Sequence, residues 1–594
     1  MKMYENNRDT KPDTWVAEDR QGRKVSVNGN EMVGAPKDDK IVAIFYFLWL
    51  SGKKDYQPGP YDVSKILEEH PDALDDINSP PWGGHSGCTH HWGESLFGYY
   101  KTDDEYVLRK HAQMLGDAGV DVIIFDLSNF QPTNPPGAYY KENFLKLFEV
   151  FSQIRAEGKF APYVAFLCPF WAEPFAVEQL YKDVYSKGLY KDIWFMWKNK
   201  PLILFDPKMV KDPEILNFFT FRRDQPSYFE GPTGPNEWSW LEMYPQHGFY
   251  NDENPDKVEQ VSVGIGQNAV VNPEGGHRLG AMSERDENGT YIGCGRSFHN
   301  GKQPQPGDVD FNSEKGYNFM EQWERAFELD PEVVFVTGWN EWIMGRFQKF
   351  SHYSAPSIFV DQFNQEFSRD IEPMRGGHLD DYYYQLIDYV RKFKGARQIP
   401  FAEGAKTIDI DGDFKQWRGV EPEYLDDVLD CPERNYAGWG EAGPYLEPAG
   451  RNDFEAMKVS YDEKNVYFYV KTVANITKAT SEHWMHLFIK TDENAPAWEN
   501  FNYVVNRHIS SPTSAWLEKS KGGWSWEKVC DITLKIAKNE MHFAIPREAL
   551  GLKGKISFDF KWTDMMAPWE DILQLYTKGD TAPNGRFCYR YQVK

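Results

Sequence analysis

The stretch VVFVTGWNEWIMGRF (333–347) begins as an unbroken apolar run and ends, within a few residues, in Trp339, Asn340, Glu341 and Trp342. Apolar β-branched and aromatic residues in succession predict a strand covered on both faces. A carboxylate at the end of such a strand, between two indoles, predicts chemistry rather than solvation. Similar strand-like runs end in Tyr46 and Trp49, in Asp126 (IIFDLSN), in Trp171 and Glu173 (CPFWAEP), and in Arg222. Others lead to Glu242 and Tyr244 (SWLEMYPQ) and to Gln267 and Asn268. Acids, amides, an arginine and aromatics at one set of strand ends suit glycosidic bond cleavage. There one carboxyl protonates the leaving oxygen and a second acts as base or nucleophile. Aromatic faces pack on sugar rings, and polar side chains hold the hydroxyls. The bland alternative for Asp126 is a helix cap, and for Glu173 and Glu242 a place on the rim. No GxSxG nucleophile motif is present.

These residues need a frame that brings strand ends together. Strand-like runs begin at Ile41, Val120, Pro162, Pro201, Phe218, Ser239, Val258 and Val333, with a ninth candidate at Ser357–Gln362. Helical patterns fall between several of them. Thr102 and Glu105 read as a capping box, and Phe319, Trp323 and Phe327 share one helical face. Roughly eight strands alternating with helices predict an α/β fold, a (β/α)8 TIM-type barrel over residues 41–395 with its working face at the strands' carboxyl ends. No glycine-rich phosphate fingerprint supports the competing doubly wound sheet. Residues 1–40 form an N-terminal extension. From 405 to 594 period-two alternation such as VYFYVKTV and MHLFIKTD predicts an all-β sandwich domain.

Composition bounds the partners. The chain has 594 residues, 16% of them aromatic, and a formal net charge of −24, which excludes the basic footprint of a nucleic-acid binder. No apolar run is long enough to span a membrane. The six cysteines form no CxxC, so their spacing predicts no zinc motif. His90 and His91, in GCTHHWGES, lack a third ligand at zinc-like spacing and read as loop residues hydrogen-bonding a sugar or the backbone, with Trp82 and Trp92 as a wall of the cleft. The expected partner is a carbohydrate, and the acid/base chemistry needs no cofactor. The start MKMYENNRDTKPDTW lacks a signal peptide's apolar core. A periplasmic or secreted location is expected, with any leader outside this chain.

The run GWNEW, the later IEP (371–373) and the aromatic-rich helix that follows resemble glycoside hydrolase family 99 and the related WbsX-like group. FYFLW (45–49) and VIIFDLSN (122–129) share in the likeness, which covers about residues 40–395. The resemblance implies a (β/α)8 endo-acting mannosidase or mannanase that retains configuration. Its motif is similar to NEWHEGTQIEP, in which the first glutamate engages the sugar 2-hydroxyl as a base and the second is the general acid. The first falls on Glu341 and the second on Met344, which holds no transferable proton. The insert from Gly345 to Ser368 then offers Glu366, ranked first, and Asp361. Glu372, within IEP, takes a binding or structural role, and Asp126 and Glu242 remain candidates for the acid. Met344 also leaves open a glycan-binding protein without catalysis, or an enzyme of polysaccharide assembly.

IDGDFKQW (410–417) and GDTAPNGRFCYRY (579–591) resemble family 9 carbohydrate-binding modules. Trp484, Trp498, Trp524 and Trp526 are candidates for sugar stacking, the alternative being that two of them fill the sandwich core. The alternating Asp409, Asp411 and Asp413 suggest a structural calcium site.

Overall fold

The computed structural model describes residues 8–51, 59–84, 87–130, 139–171, 173–272, 275–479, 483–565 and 571–594. The chain divides into two compact units. One holds Lys37–Lys394 and Tyr436–Tyr445; the other holds Gly395–Asn435, Leu446–Lys594 and the N-terminal stretch through Pro36.

The first unit is a (β/α)8 barrel. Its strands are β1 (Ile41–Tyr46), β2 (Val122–Asp126), β3 (Tyr163–Leu167), β4 (Lys200–Leu204), β5 (Thr220–Asp224), β6 (Glu237–Trp238), β7 (Gln260–Gly264) and β8 (Val333–Thr337). They pair in parallel in the order β6-β5-β4-β3-β2-β1-β8-β7. The apolar runs of β1, β2, β3, β7 and β8 are buried along their whole length, as strands covered on both faces require. Between β6 and β7 the sheet is joined by a side chain. Gln260 accepts from the Ser239 backbone N–H at 3.0 Å and donates to the Ser239 carbonyl at 2.7 Å.

Two local expectations change. The helix Glu105–Asp117 is capped by Asp104, whose carboxylate accepts from the Val107 N–H at 3.3 Å, while the Thr102 hydroxyl donates to the Leu48 carbonyl at 3.1 Å. The ninth strand candidate is an arm of a hairpin, β9 (Ile343–Phe350) and β10 (Tyr353–Phe359), which leaves the barrel after β8. That hairpin is what the insert builds. Its first arm also pairs with Thr89–His91 from the long loop after β1.

The second unit is a β-sandwich. Among the described residues eleven strands form one continuous sheet, joined through the thirteen-residue strand Ser525–Ala537, which pairs with Ser514–Gly522 on one side and Glu540–Pro546 on the other. The N-terminal segment belongs here. Val16 and Cys588 exchange backbone hydrogen bonds at 2.9 and 2.7 Å. The ten residues Tyr436–Tyr445 belong instead to the barrel unit, where the Trp439 N–H donates to the Tyr99 carbonyl at 2.7 Å.

Candidate active site

Past β8 the chain is fixed residue by residue. The Trp339 N–H donates to the Phe45 carbonyl at 2.9 Å. The Asn340 side chain accepts from the Phe47 N–H at 2.8 Å and donates to the Phe47 carbonyl and the Tyr100 hydroxyl. Asn340 is thus a clamp between the ends of β8 and β1. Trp339 is fully buried, edge-on to His111, and Trp342 is stacked 4.9 Å from Trp92. These indoles carry Glu341 but offer no face to a sugar, because each is already covered by protein.

Beneath them sits Glu372, which is fully buried. It accepts from the Ser95 hydroxyl (2.6 Å), the Tyr100 hydroxyl (2.9 Å) and the Trp342 indole (2.5 Å), and pairs with His111 Nε2 at 3.1 Å. His111 Nδ1 in turn meets the Tyr46 hydroxyl at 2.8 Å. A buried carboxylate demands such a set of partners. Tyr46, Trp92, Trp339, Asn340, Trp342 and Glu372 therefore form the inner scaffold rather than the cleft wall.

Glu341 is held at both ends by the loop that follows β10. Its backbone N–H donates to Asp370 at 2.6 Å, and Asp370 also accepts from the Trp92 indole at 2.9 Å. Its Oε2 accepts from Gln362 Nε2 at 3.1 Å and from Arg369 Nη2 at 2.9 Å. The same Nη2 stands 3.6 Å from Asp361 Oδ1, and Asn268 donates to that oxygen at 2.5 Å. Arg369 also donates to the Asn268 side-chain oxygen and lies 5.4 Å from the Trp240 ring centre. Trp240 stacks on Phe45. A guanidinium planted on an aromatic face and forked between two carboxylates is well suited to fixing both.

Burial dominates the electrostatics. It pushes the Glu341 carboxyl up to about 8; Arg369 pulls the other way, and the charges of Asp361, Asp370 and Asp126 add to the rise. Burial likewise raises Asp126 to about 6 and Asp370 to about 6. At neutral pH Glu341 therefore keeps a proton, while the side chain of Asp361, 42% exposed, faces solvent. Asp126, at the end of β2, accepts from the Ser128 N–H at 2.8 Å. Trp49 donates to the Asp126 carbonyl at 3.4 Å and stacks on Tyr140.

The other expected site residues are dispersed. Glu366 is buried among donors, accepting from the Ser297 N–H (2.8 Å), the Ser297 hydroxyl (2.7 Å) and Gln303 (2.8 Å), so it braces the loop instead of reaching Glu341. Glu242 is buried and accepts from the His247 backbone at 3.0 Å, with His247 Nδ1 at 3.2 Å. Arg222 is buried in an ion pair with Glu259. Both His90 nitrogens meet backbone carbonyls, those of Trp82 and Cys88. His91 is buried edge-on between Tyr99 and Trp439. Burial lowers these imidazoles to about 4 and about 3, so both are neutral. Gln267 is buried just past β7 and Tyr244 is half-buried past β6. Trp171 and Glu173 are exposed on the rim after β3, Trp171 at 54%. Met344 is buried in β9, opposite His90.

Sequence reasoning missed Arg369, Gln362 and Asp370, although all lie in FVDQFNQEFSRDIEP beside the acids it weighed. It also missed Asp224, at the end of β5, which is 2% exposed and whose carboxylate oxygens have no hydrogen-bond partner among the described residues. Burial raises its carboxyl, and the charges of Asp206 and Asp126 add to the rise.

In the second unit Trp484 and Trp498 are core residues, at 1% and 3% exposure, while Trp524 and Trp526 are half-buried. Asp409 accepts from the Asp411 N–H, and Asp413 caps the turn at Lys415.

No family model and no curated protein matches this chain. Solved structures to which it is similar include a GH99 endo-alpha-mannosidase from Bacteroides thetaiotaomicron in complex with BIS-TRIS-propane. That match has 15% identity and a TM-score of 0.32, covering 60% of this chain and 97% of the other. A second structure titled as the same organism's GH99 endo-alpha-mannosidase matches at 14% identity and a TM-score of 0.33, over 60% and 98% of the two chains.

Proposed function

We propose that the barrel unit cleaves a glycosidic bond, with Glu341 as proton donor and Asp361 as the second carboxyl of the pair. The observation that carries this reading is the shared guanidinium. Glu341 Oε2 and Asp361 Oδ1 both contact Arg369 Nη2, at 2.9 and 3.6 Å, so these oxygens lie at most about 6.5 Å apart. One carboxyl is buried and holds a proton at neutral pH, and the other is open to solvent. Two neighbouring carboxyls in unlike surroundings, one buried and one open to solvent, are what acid/base glycosidases use.

In this reading the Glu341 proton passes to the glycosidic oxygen as the C–O bond breaks. The Asp361 carboxylate meets the anomeric carbon, and water completes the hydrolysis. Trp49, Tyr140 and Trp171 supply aromatic surface for the sugar. The reading replaces Glu366 with Asp361, because the Glu366 oxygens are occupied inside the loop.

A second reading is glycan binding without cleavage, favoured by Met344 at the position where the family 99 motif carries its acid. A panel of microbial and plant polysaccharides, assayed for new reducing ends and for retention on immobilised protein, separates the two. Cleavage supports hydrolysis, and retention without cleavage supports binding.

A further inference from the structure

We propose that Asp224 is a substrate-binding residue of the barrel, a carboxyl that takes hydroxyl groups of the bound sugar, a contact that rests on the glycosidase reading and adds to it.

Strand register aims this side chain. From β2 to β5 the sheet pairs through Asp126, Leu167, Leu204 and Arg222. One residue earlier, Phe125 and Phe166 pack on Phe148 of the helix Lys141–Ala156, so their side of the sheet is the outside of the barrel. Asp126, Leu167, Leu204 and Arg222 therefore face the interior, because side chains alternate along each strand. Asp224 is two residues beyond Arg222 and faces the interior as well, at the carboxyl end of β5, where such barrels work. Arg223 between them points the other way, to Glu237 and Thr233.

The next residue ties this strand end to the brace on Glu341. The Gln225 side chain accepts from the Trp240 N–H at 3.1 Å and donates to the Leu241 carbonyl at 3.0 Å. The Trp240 ring lies under Arg369, which in turn donates to Glu341. Asp224 thus opens on the same interior that Glu341 serves.

Its hydrogen bonding is the second observation. Asp224 is buried, and among the described residues neither of its oxygens has a donor. The two arginines beside it in sequence are engaged elsewhere, Arg222 with Glu259 and Arg223 with Glu237. Trp240 Nε1 is likewise buried and lacks an acceptor among the described residues. Unmet buried polar groups are costly and uncommon in folded proteins. A carboxyl with a structural role in this barrel looks different, as the four partners of Glu372 show. Here an acceptor lacks a donor at the end of β5, and a donor lacks an acceptor just past β6. Sugar hydroxyls both donate and accept, so one ligand class serves both groups. An apolar ligand would leave both unmet, and an anion would meet an acid. A site built to pair a hydroxyl also rejects ligands that lack it, which makes Asp224 a specificity residue.

The test uses the full chain carrying Glu341→Gln, so that binding is read without cleavage. Electrophoresis through gels cast with mannan, xylan, pectin or dextran gives an apparent Kd for each polymer. For a polymer that retards this parent, Asp224→Leu should bind on the order of 10–100-fold more weakly. Asp224→Asn keeps one neutral acceptor and should bind about 3–10-fold more weakly. Thermal melts without polymer should place neither variant below the parent, and the leucine variant above it, since an unmet buried carboxyl is gone. If the leucine variant does not fold, the nearly isosteric asparagine variant decides alone, with weaker binding and an unchanged melt in support. Retardation of the parent with affinity kept in the folded variants would overturn the proposal alone, and a lower Tm beside it would mark a structural carboxyl. Retardation of the parent by none of the polymers would overturn it together with the glycan reading.

Discussion

Arg369 Nη2 lies 2.9 Å from Glu341 Oε2, both side chains buried, and the next residue along, Asp370, receives the Glu341 backbone N–H. Two consecutive loop residues thus fix the carboxyl and the backbone of one glutamate. Arg369 is the cation that opposes the rise in the Glu341 pKa and the donor that holds its Oε2 in place. Arg369→Met should lower activity by about 100-fold or more. It should also move the alkaline limb of the pH–rate profile upward, since the cation that favours ionised Glu341 is gone. A profile with unchanged limbs would separate Arg369 from Glu341's titration.

Stability should fall as pH rises across neutrality. Folding raises Glu341 from 4.5 to about 8, and Asp126 and Asp370 from 3.8 to about 6. Between those values the folded protein holds protons that the unfolded chain has released, so these groups contribute stability at low pH that is lost as pH rises through the folded pKa. Glu341→Gln cannot ionise. Urea denaturation should show it gaining on the wild type between about pH 5 and about pH 8. A constant difference across that range would contradict the burial effect.

Asp361 and Glu366 should behave oppositely. Asp361→Asn alters an exposed carboxylate, so cleavage should drop by on the order of 1000-fold with Tm nearly unchanged. Glu366→Gln weakens a buried acceptor of three hydrogen bonds. It should cost about 1–3 kcal/mol of stability while the folded fraction keeps its activity. Activity and thermal melts on both variants check the pair, and the reverse pattern would put Glu366 in place of Asp361 as the partner of Glu341.

The barrel strands, the sandwich and the strand end that carries Glu341 were legible because buried strands and period-two alternation leave a local signature. The brace on Glu341 was not. Arg369, Gln362 and Asp361 reach it only after the hairpin β9–β10 returns the chain, and no spacing rule reports a loop's closure. Burial was equally hidden. Trp339 and Trp342 read as sugar platforms in sequence, yet Glu372, His111 and Trp92 enclose them. Short-range patterns likewise give no hint that residues 436–445 join the barrel unit, since that depends on contacts with Tyr99.

Trp171 is the exposed indole on the rim, at 54%. Trp171→Ala should weaken glycan binding by about 0.5–1.5 kcal/mol, the order expected for one aromatic contact, with Tm unchanged. Isothermal titration with an oligosaccharide that the wild type retains measures it, and equal affinity would remove Trp171 from the cleft.

In the proposed reaction Glu341 supplies the proton for glycosidic cleavage. Its most direct test is the rate of reducing-end release by wild type and Glu341→Gln on a glycan the wild type cuts, with binding followed in parallel. A loss of on the order of 100- to 10,000-fold in rate with affinity kept is expected. Cleavage at the wild-type rate by the glutamine variant would contradict it.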